Sequence, residues 1–102
     1  MSQGKLAAQV AHAAVSAVID ANLKYYKIQN WKDEGQPKII LAAPSEDILF
    51  QLQAKANERD VQSFLIKDAG RTELESGTVT CLSIGPDEDS IINKLTGNLK
   101  LL

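Results

Sequence analysis

The chain contains few of the residues on which metal and disulfide sites depend. Its 102 residues include one cysteine and one histidine, and they form neither a CxxC nor an HxxxH pattern. A structural metal site is therefore not expected, and no cofactor is predicted. Cys81 has no partner for an internal disulfide and lies among apolar neighbours, so we interpret it as a structural residue. A Gly-rich phosphate-binding loop is also missing from the sequence.

Long apolar runs are missing as well. No stretch approaches the ~18–20 uncharged apolar residues of a membrane-spanning helix. The N-terminus does not carry a basic region, an apolar core and a cleavage site in series, as a signal peptide would. Together with the lone cysteine, this predicts a cytoplasmic protein without a membrane partner. The length suits a single domain over residues 1–102.

A strong excess of basic charge, which is typical of DNA-binding proteins, is not present either. The formal net charge is −2, from 11 basic and 13 acidic residues, so no DNA partner is expected. The charge is uneven, because residues 1–38 hold five lysines against three acidic residues. Residues 39–102 hold six basic residues against ten acidic ones. The N-terminal part can therefore form a local basic surface.

The apolar patterning predicts an α/β fold with a small mixed sheet and helices on both faces. Strand, helix and strand over residues 38–67 imply a parallel crossover, whereas the two later strands are antiparallel or not adjacent. Ser45 is the predicted N-cap of the second helix. The predicted elements are a helix over 3–20, a loop after a helix end over 24–36, a strand buried on both faces over 38–43, a helix to Glu58, strands over 61–67 and 78–84, a last helix containing Ile91, Ile92 and Leu95, and a docked tail over 98–102.

The first helix has an unusual distribution of polar residues. At 100° per residue, Lys5, Gln9, His12 and Ser16 share one narrow stripe, and most other positions are apolar. Such a helix should be buried on most sides, and its stripe either lines a cleft or faces solvent. A positive charge such as that of Lys5 is unfavourable near the N-terminus of a helix because of the helix dipole. The charge is tolerated if the ammonium faces an anion or extends into water.

The segment DAGRT (68–72) directly follows a predicted strand, where α/β proteins often place functional loops. Asp68 can act as an acid, a base or an orienting group, and Arg71 offers a planar fork of donors for phosphate or carboxylate. The alternative is a turn with a surface Asp–Arg pair.

Two interpretations also exist for the aromatic residues Tyr25, Tyr26 and Trp31. They could stack on RNA, but packing of a loop onto the core is the more common role.

Five segments together resemble the type 2 peptidyl-tRNA hydrolases, which are the archaeal and eukaryotic form. The resemblance runs along essentially the whole chain, and the segments are specific in combination although each alone is weak. They are GKLAAQVAHAAV (4–15), GQPK (35–38), DAGRT (68–72), IGP (84–86) and TGNLKL (96–101).

The resemblance implies a metal-independent enzyme that hydrolyses the ester between a peptide and the 3′ ribose of tRNA. It also implies a three-layer α/β/α sandwich around a four-stranded mixed sheet, and often a homodimer. Carried over to this sequence, the catalytic residues are Lys5, Asp68 and Thr72. The residues expected to border the cleft or bind substrate are Gln9, His12, Arg71, Thr80 and Lys38.

Ester hydrolysis needs an oriented water molecule and stabilisation of an oxyanion. We expect Asp68 to activate water, directly or through Thr72, and Lys5 to face the oxyanion or a nearby phosphate. His12 is an alternative base. Contact with tRNA would depend on a local patch of basic residues. Its candidates are Lys5, Lys24, Lys27, Lys32, Lys38, Lys67 and Arg71.

Two other functions are compatible with the same residues. One is a non-catalytic module that binds tRNA or a protein, and the other is an esterase for different acyl esters. The family's sheet also includes a strand just before the Gly-Lys helix, and we expect this strand to be absent here through truncation or a misassigned start. The resulting gap in the sheet could be filled by another chain through swapping or dimerisation.

Overall fold

The computed structural model describes residues 1–19, 25–68 and 77–102. The helices are α1 (Gln3–Ile19), α2 (Tyr25–Asp33), α3 (Glu46–Glu58) and α4 (Asp89–Thr96). The strands are β1 (Leu41–Ala42), β2 (Ser63–Lys67), β3 (Val79–Ile84) and β4 (Lys100–Leu101). This order of helices and strands confirms the predicted α/β class.

The four strands form two separate antiparallel pairs. β2 and β3 make a hairpin in which Ser63 lies opposite Ile84. β1 pairs with β4, with Leu41 opposite Leu101, so the C-terminal tail docks as predicted. β1 and β2, for which the sequence predicted a parallel crossover, belong to different pairs.

The β2–β3 hairpin is the platform on which the helices pack. α1 and α3 each contact both of its strands, and α4 packs against α3. The Gln62 amide also donates to the carbonyl of Ala17 over 2.8 Å, which ties the end of α1 to the start of β2. The buried core residues Ala56, Val61 and Leu95 join α3 to α4, and they are covered by Ile84, Ile91 and Ile92.

α3 shows how completely local sequence can specify an element. The Ser45 hydroxyl accepts a hydrogen bond from the N–H of Ile48 over 3.4 Å, as the predicted N-cap requires. Glu46 and Asp47 lie in the first turn, where the helix dipole favours negative charge. Leu52 and Ala56 form the buried side.

Three expectations about the N-terminal part were wrong. α1 is buried along only one line of residues, Gln9, Ala13 and Ala17, because it packs on one side against the hairpin. Residues 25–33 are the helix α2 rather than part of a loop. The run over 38–43 is not buried on both faces, since Ile39 is 73% exposed, and only two of its residues form β1.

A groove of about 1170 Å³ lies between the β1–β4 pair and β3. Residues of α1, α2, β1 and β3 line it. Within the described residues, β3 pairs with β2 on one edge only. The other edge of β3 therefore meets no strand there, and the two antiparallel pairs stay separate.

Candidate functional site

Lys5 and Asp68 form an ion pair between the start of α1 and the end of β2. The Lys5 ammonium donates to Oδ1 of Asp68, although 63 positions separate the two residues in the chain. Their side chains are 11% and 3% exposed, respectively. The packing of α1 across the β2–β3 hairpin brings them together.

The pair explains why a lysine occupies the first turn of α1. No acidic residue lies in that turn, so a lysine there is opposed by the helix dipole. The carboxylate of Asp68 supplies the opposite charge from another element. Ser2 also caps this helix, because its hydroxyl accepts from the N–H of Lys5 over 3.2 Å. Serine just before an alanine-rich helix is a common N-terminal signal, so this cap is visible in the sequence.

The backbone of Asp68 is hydrogen-bonded to the two residues that precede β3. Its N–H donates to the carbonyl of Thr78 over 2.7 Å, and its carbonyl accepts from the N–H of Gly77 over 2.8 Å. Asp68 therefore continues the hairpin ladder beyond the last residue of β2. Its carboxylate is consequently presented from a rigid strand end.

The predicted polar stripe of α1 is divided by the structure. Gln9, one turn after Lys5, is 7% exposed and lies on the packed side of the helix. His12 is exposed instead. The buried line is centred on Ala13, and at 100° per residue Gln9 lies ~40° from it around the helix whereas His12 lies ~100° from it. Of the predicted residues on α1, Lys5 and Gln9 therefore face the hairpin.

Thr80 lies on β3, and its hydroxyl donates to the carbonyl of Ile66 over 3.3 Å. Lys38 is engaged elsewhere: its ammonium donates to the carbonyl of Gln36 over 2.6 Å. That ammonium also lies 5.4 Å from the centroid of the Trp31 ring. Arg71 and Thr72 fall outside the described residues, as do Lys24 and the rest of 69–76.

Trp31 packs against the loop that follows its own helix. Its indole N–H donates to the carbonyl of Pro37 over 2.8 Å, so this side chain holds the loop against α2. Tyr26 is 55% exposed, so its ring remains accessible. The side chain of Tyr25 lies outside the described part of the structure.

A second ion pair joins α2 to the loop before α4. The ammonium of Lys27 donates to Oδ2 of Asp87 over 2.8 Å, and Oδ1 accepts from the N–H of Glu88 over 2.8 Å. The hydrogen bond to Asp87 raises the pKa of Lys27 above its usual value. Asp87 belongs to the predicted turn before the last helix, one residue before the N-cap Glu88, and local sequence does not reveal its contact with Lys27. Lys27, a candidate for the basic patch, is thus already bound to a carboxylate.

The groove is not the place where the Lys5–Asp68 pair lies. Its lining includes Leu6, Val10 and Val79 but neither member of that pair. Cys81 also lines the groove, and burial raises the pKa of its thiol. A thiol with a raised pKa is a poor nucleophile at neutral pH, which agrees with a structural role for this cysteine.

Chemically, the Lys5–Asp68 pair combines a weakly solvated carboxylate with a cation. A carboxylate can accept a proton from water, and an ammonium group can stabilise an oxyanion. In the described part of the chain, no group of three or more His, Cys, Asp or Glu residues could hold a metal ion. None of the described helices is long and apolar enough to cross a membrane.

Comparison with known proteins adds an independent finding. The family model described as peptidyl-tRNA hydrolase PTH2 matches residues 1–102. A peptidyl-tRNA hydrolase of Thermococcus sibiricus is 50% identical over 103 residues, which cover 100% of this chain and 87% of that protein. A peptidyl-tRNA hydrolase of Haloquadratum walsbyi is 52% identical over 101 residues, which cover 99% of this chain and 88% of that protein. A peptidyl-tRNA hydrolase of Methanopyrus kandleri is 47% identical over 102 residues, which cover 100% of this chain and 88% of that protein.

Proposed function

Because the chain belongs to the peptidyl-tRNA hydrolase PTH2 family, we propose that it hydrolyses the ester bond of peptidyl-tRNA at the Lys5–Asp68 pair. The reaction releases the peptide and free tRNA, and the tRNA can then be used again in translation. The observation that carries this assignment is the buried contact between Lys5 and Asp68. Both residues belong to the segments that resemble the family.

In this proposal, Asp68 accepts a proton from the attacking water molecule. The water oxygen bonds to the ester carbonyl carbon, and the 3′ ribose oxygen leaves and receives a proton. The Lys5 ammonium stabilises the negative charge that develops on the carbonyl oxygen. Low solvent exposure strengthens both effects, because less water competes for the charged groups.

The remaining predicted residues have supporting roles in the proposal. Thr72 orients the water, and Arg71 binds substrate beside it. Gln9, which is buried one turn after Lys5, borders the cleft at the pair, whereas Thr80 lines the neighbouring groove. His12 is the alternative base, and its exposure leaves it open to solvent and substrate.

We further propose that tRNA phosphates are contacted by a reduced set of the basic candidates. Lys27 and Lys5 are each paired with an aspartate, so their charges are partly neutralised. Lys32, Lys38 and Lys67 are exposed and remain suited to phosphate contacts. With so few contacts, affinity for tRNA should fall only gradually as the salt concentration rises.

We further propose that the protein is cytoplasmic and forms a homodimer. Hydrolysis of a translation product requires access to tRNA, which supports the location. Ile39, Leu101 and Leu102 are 73%, 74% and 65% exposed on and beside the β1–β4 pair, which supports apolar self-association. Light scattering across a range of protein concentrations tests whether the chain dimerises.

The activity is tested with N-acetyl-aminoacyl-tRNA as substrate and unblocked aminoacyl-tRNA as the control. We expect release of the acyl group from the blocked substrate alone. Lys5→Met should lower kcat/KM at least about 100-fold, since removing one oxyanion-stabilising donor has an effect of this size. Lys94→Met removes an exposed charge from α4 and should leave kcat/KM unchanged.

Each other outcome selects a different function. Binding of tRNA without release of the acyl group would indicate a non-catalytic module. Equal hydrolysis of simple acyl esters would indicate an esterase of broader specificity. Full activity of Lys5→Met would remove Lys5 from the mechanism but leave the hydrolase assignment intact.

A further inference from the structure

The register of the β2–β3 hairpin changes immediately before Asp68. Ile66 lies opposite Cys81, but the next residue, Lys67, lies opposite Val79. Thr80 is thus an extra residue on β3 with no direct partner on β2. This is a β-bulge, a feature that bends a strand and changes the direction of nearby side chains.

The Thr80 side chain closes this bulge. Its hydroxyl donates to the carbonyl of Ile66 over 3.3 Å. Asp68 lies two positions after Ile66, and both residues are buried whereas Lys67 between them is exposed, which is the alternation expected of an extended segment. The hydroxyl therefore fixes the backbone from which Asp68 is presented. Beyond the bulge, Asp68 is bonded to two successive residues, because its N–H donates to Thr78 and its carbonyl accepts from Gly77.

We propose that Thr80 is a positioning residue, which holds the bulge and thereby sets the carboxylate of Asp68 against Lys5. This differs from a role in substrate binding, because the hydroxyl acts through the backbone of Ile66. The inference depends on the proposed function, since it concerns the geometry of the proposed catalytic pair. It predicts an effect on the chemical step rather than on affinity.

Thr80→Val and Thr80→Ser test the proposal with N-acetyl-aminoacyl-tRNA as substrate. Valine has the shape of threonine without the hydroxyl, whereas serine keeps the hydroxyl. We expect Thr80→Val to lower kcat about tenfold with KM unchanged, because small misplacements of catalytic groups have effects of this order or larger. We expect Thr80→Ser to restore most of the kcat.

Thr96→Val is the matched control. The Thr96 hydroxyl also donates to a backbone carbonyl, that of Ile92 over 3.1 Å, but it lies in α4. This variant loses the same kind of bond and should keep both kcat and KM. Urea unfolding of all three variants shows whether a loss of kcat exceeds any loss of folded protein.

A double-mutant cycle identifies the residue through which Thr80 acts. In an Asp68→Asn background, Thr80→Val should have little further effect on kcat, because residues that act as a unit are not additive. A full additional tenfold loss would overturn the proposal, and so would a rise in KM with kcat unchanged. Unchanged kinetics of Thr80→Val would also overturn it, while an inactive wild-type chain would instead refute the proposed function.

Discussion

Two lysine–aspartate pairs of similar construction occur in this molecule. Lys5–Asp68 and Lys27–Asp87 each join a residue in the first turn of a helix to an aspartate, over 63 and 60 sequence positions respectively. Both carboxylates are buried, with 3% and 6% of their side chains exposed. Burial and ion pairing alone therefore do not distinguish a catalytic pair from a structural one.

The surroundings of the two pairs do differ. Asp87 precedes α4 and receives both the Lys27 ammonium and the N–H of Glu88, so it links α2 to the start of α4. Asp68 follows β2, whose partner strand β3 carries the bulge, and it begins the DAGRT segment. A buried ion pair is weak evidence for stability, so the position of each pair in the fold is more informative.

The two pairs should differ most in their effect on catalytic activity. Asp68→Asn should lower kcat/KM for N-acetyl-aminoacyl-tRNA at least about 100-fold, because the amide cannot accept a proton from water. Asp87→Asn should leave kcat/KM within about threefold of the wild type, since Asp87 has no part in the proposed chemistry. Both values are to be normalised to the concentration of folded protein. Equal losses in the two variants would remove the distinction between the pairs.

The two pairs should differ much less in their contribution to the free energy of unfolding. Lys5→Met and Lys27→Met each leave a buried carboxylate without its cation, and we expect each to lose about 2 kcal/mol of unfolding free energy, the cost of a buried group that loses a hydrogen-bond partner. For a domain of this size, this corresponds to a fall in Tm of roughly 10 °C. Urea and thermal unfolding give both values, and Lys94→Met is the control. A wild-type Tm for Lys27→Met would show that its pair adds nothing to stability.

The smallest effect concerns the pH dependence of the second pair. The pKa of Lys27 is raised by its hydrogen bond to Asp87. Its contribution to stability is therefore complete below the ordinary lysine pKa of 10.5 and is lost as the pH rises through the higher pKa of the folded state. The difference in unfolding free energy between wild type and Lys27→Met should be constant from pH 7 to about 10 and should then shrink. A difference that already declines between pH 7 and 9 would contradict this assignment.

Part of the fold was predictable because the interactions that specify it are local. Ser45 and the two acidic residues after it marked the start of α3, and Ile91, Ile92 and Leu95 marked the packed side of α4. Other predictions failed where tertiary contacts decide, and two of them show the reason. Residues 25–33 form a helix whose third residue is bound by Asp87, a partner 60 positions away. The apolar run over 38–43 suggested full burial, but among the described residues its strand β1 pairs only with the two-residue strand β4.

The candidate site divides in the same way. The sequence alone determined the family and identified Lys5 and Asp68, because the spacing and types of residues in the GKLAAQVAHAAV and DAGRT segments are visible without coordinates. Only the tertiary structure decided that Lys5 meets Asp68, that His12 faces solvent and that Lys27 is held by Asp87. It also placed Thr80 in a bulge beside Ile66. The physical reason is that helix signals act within a few residues, whereas ion pairs and strand register depend on how distant segments pack.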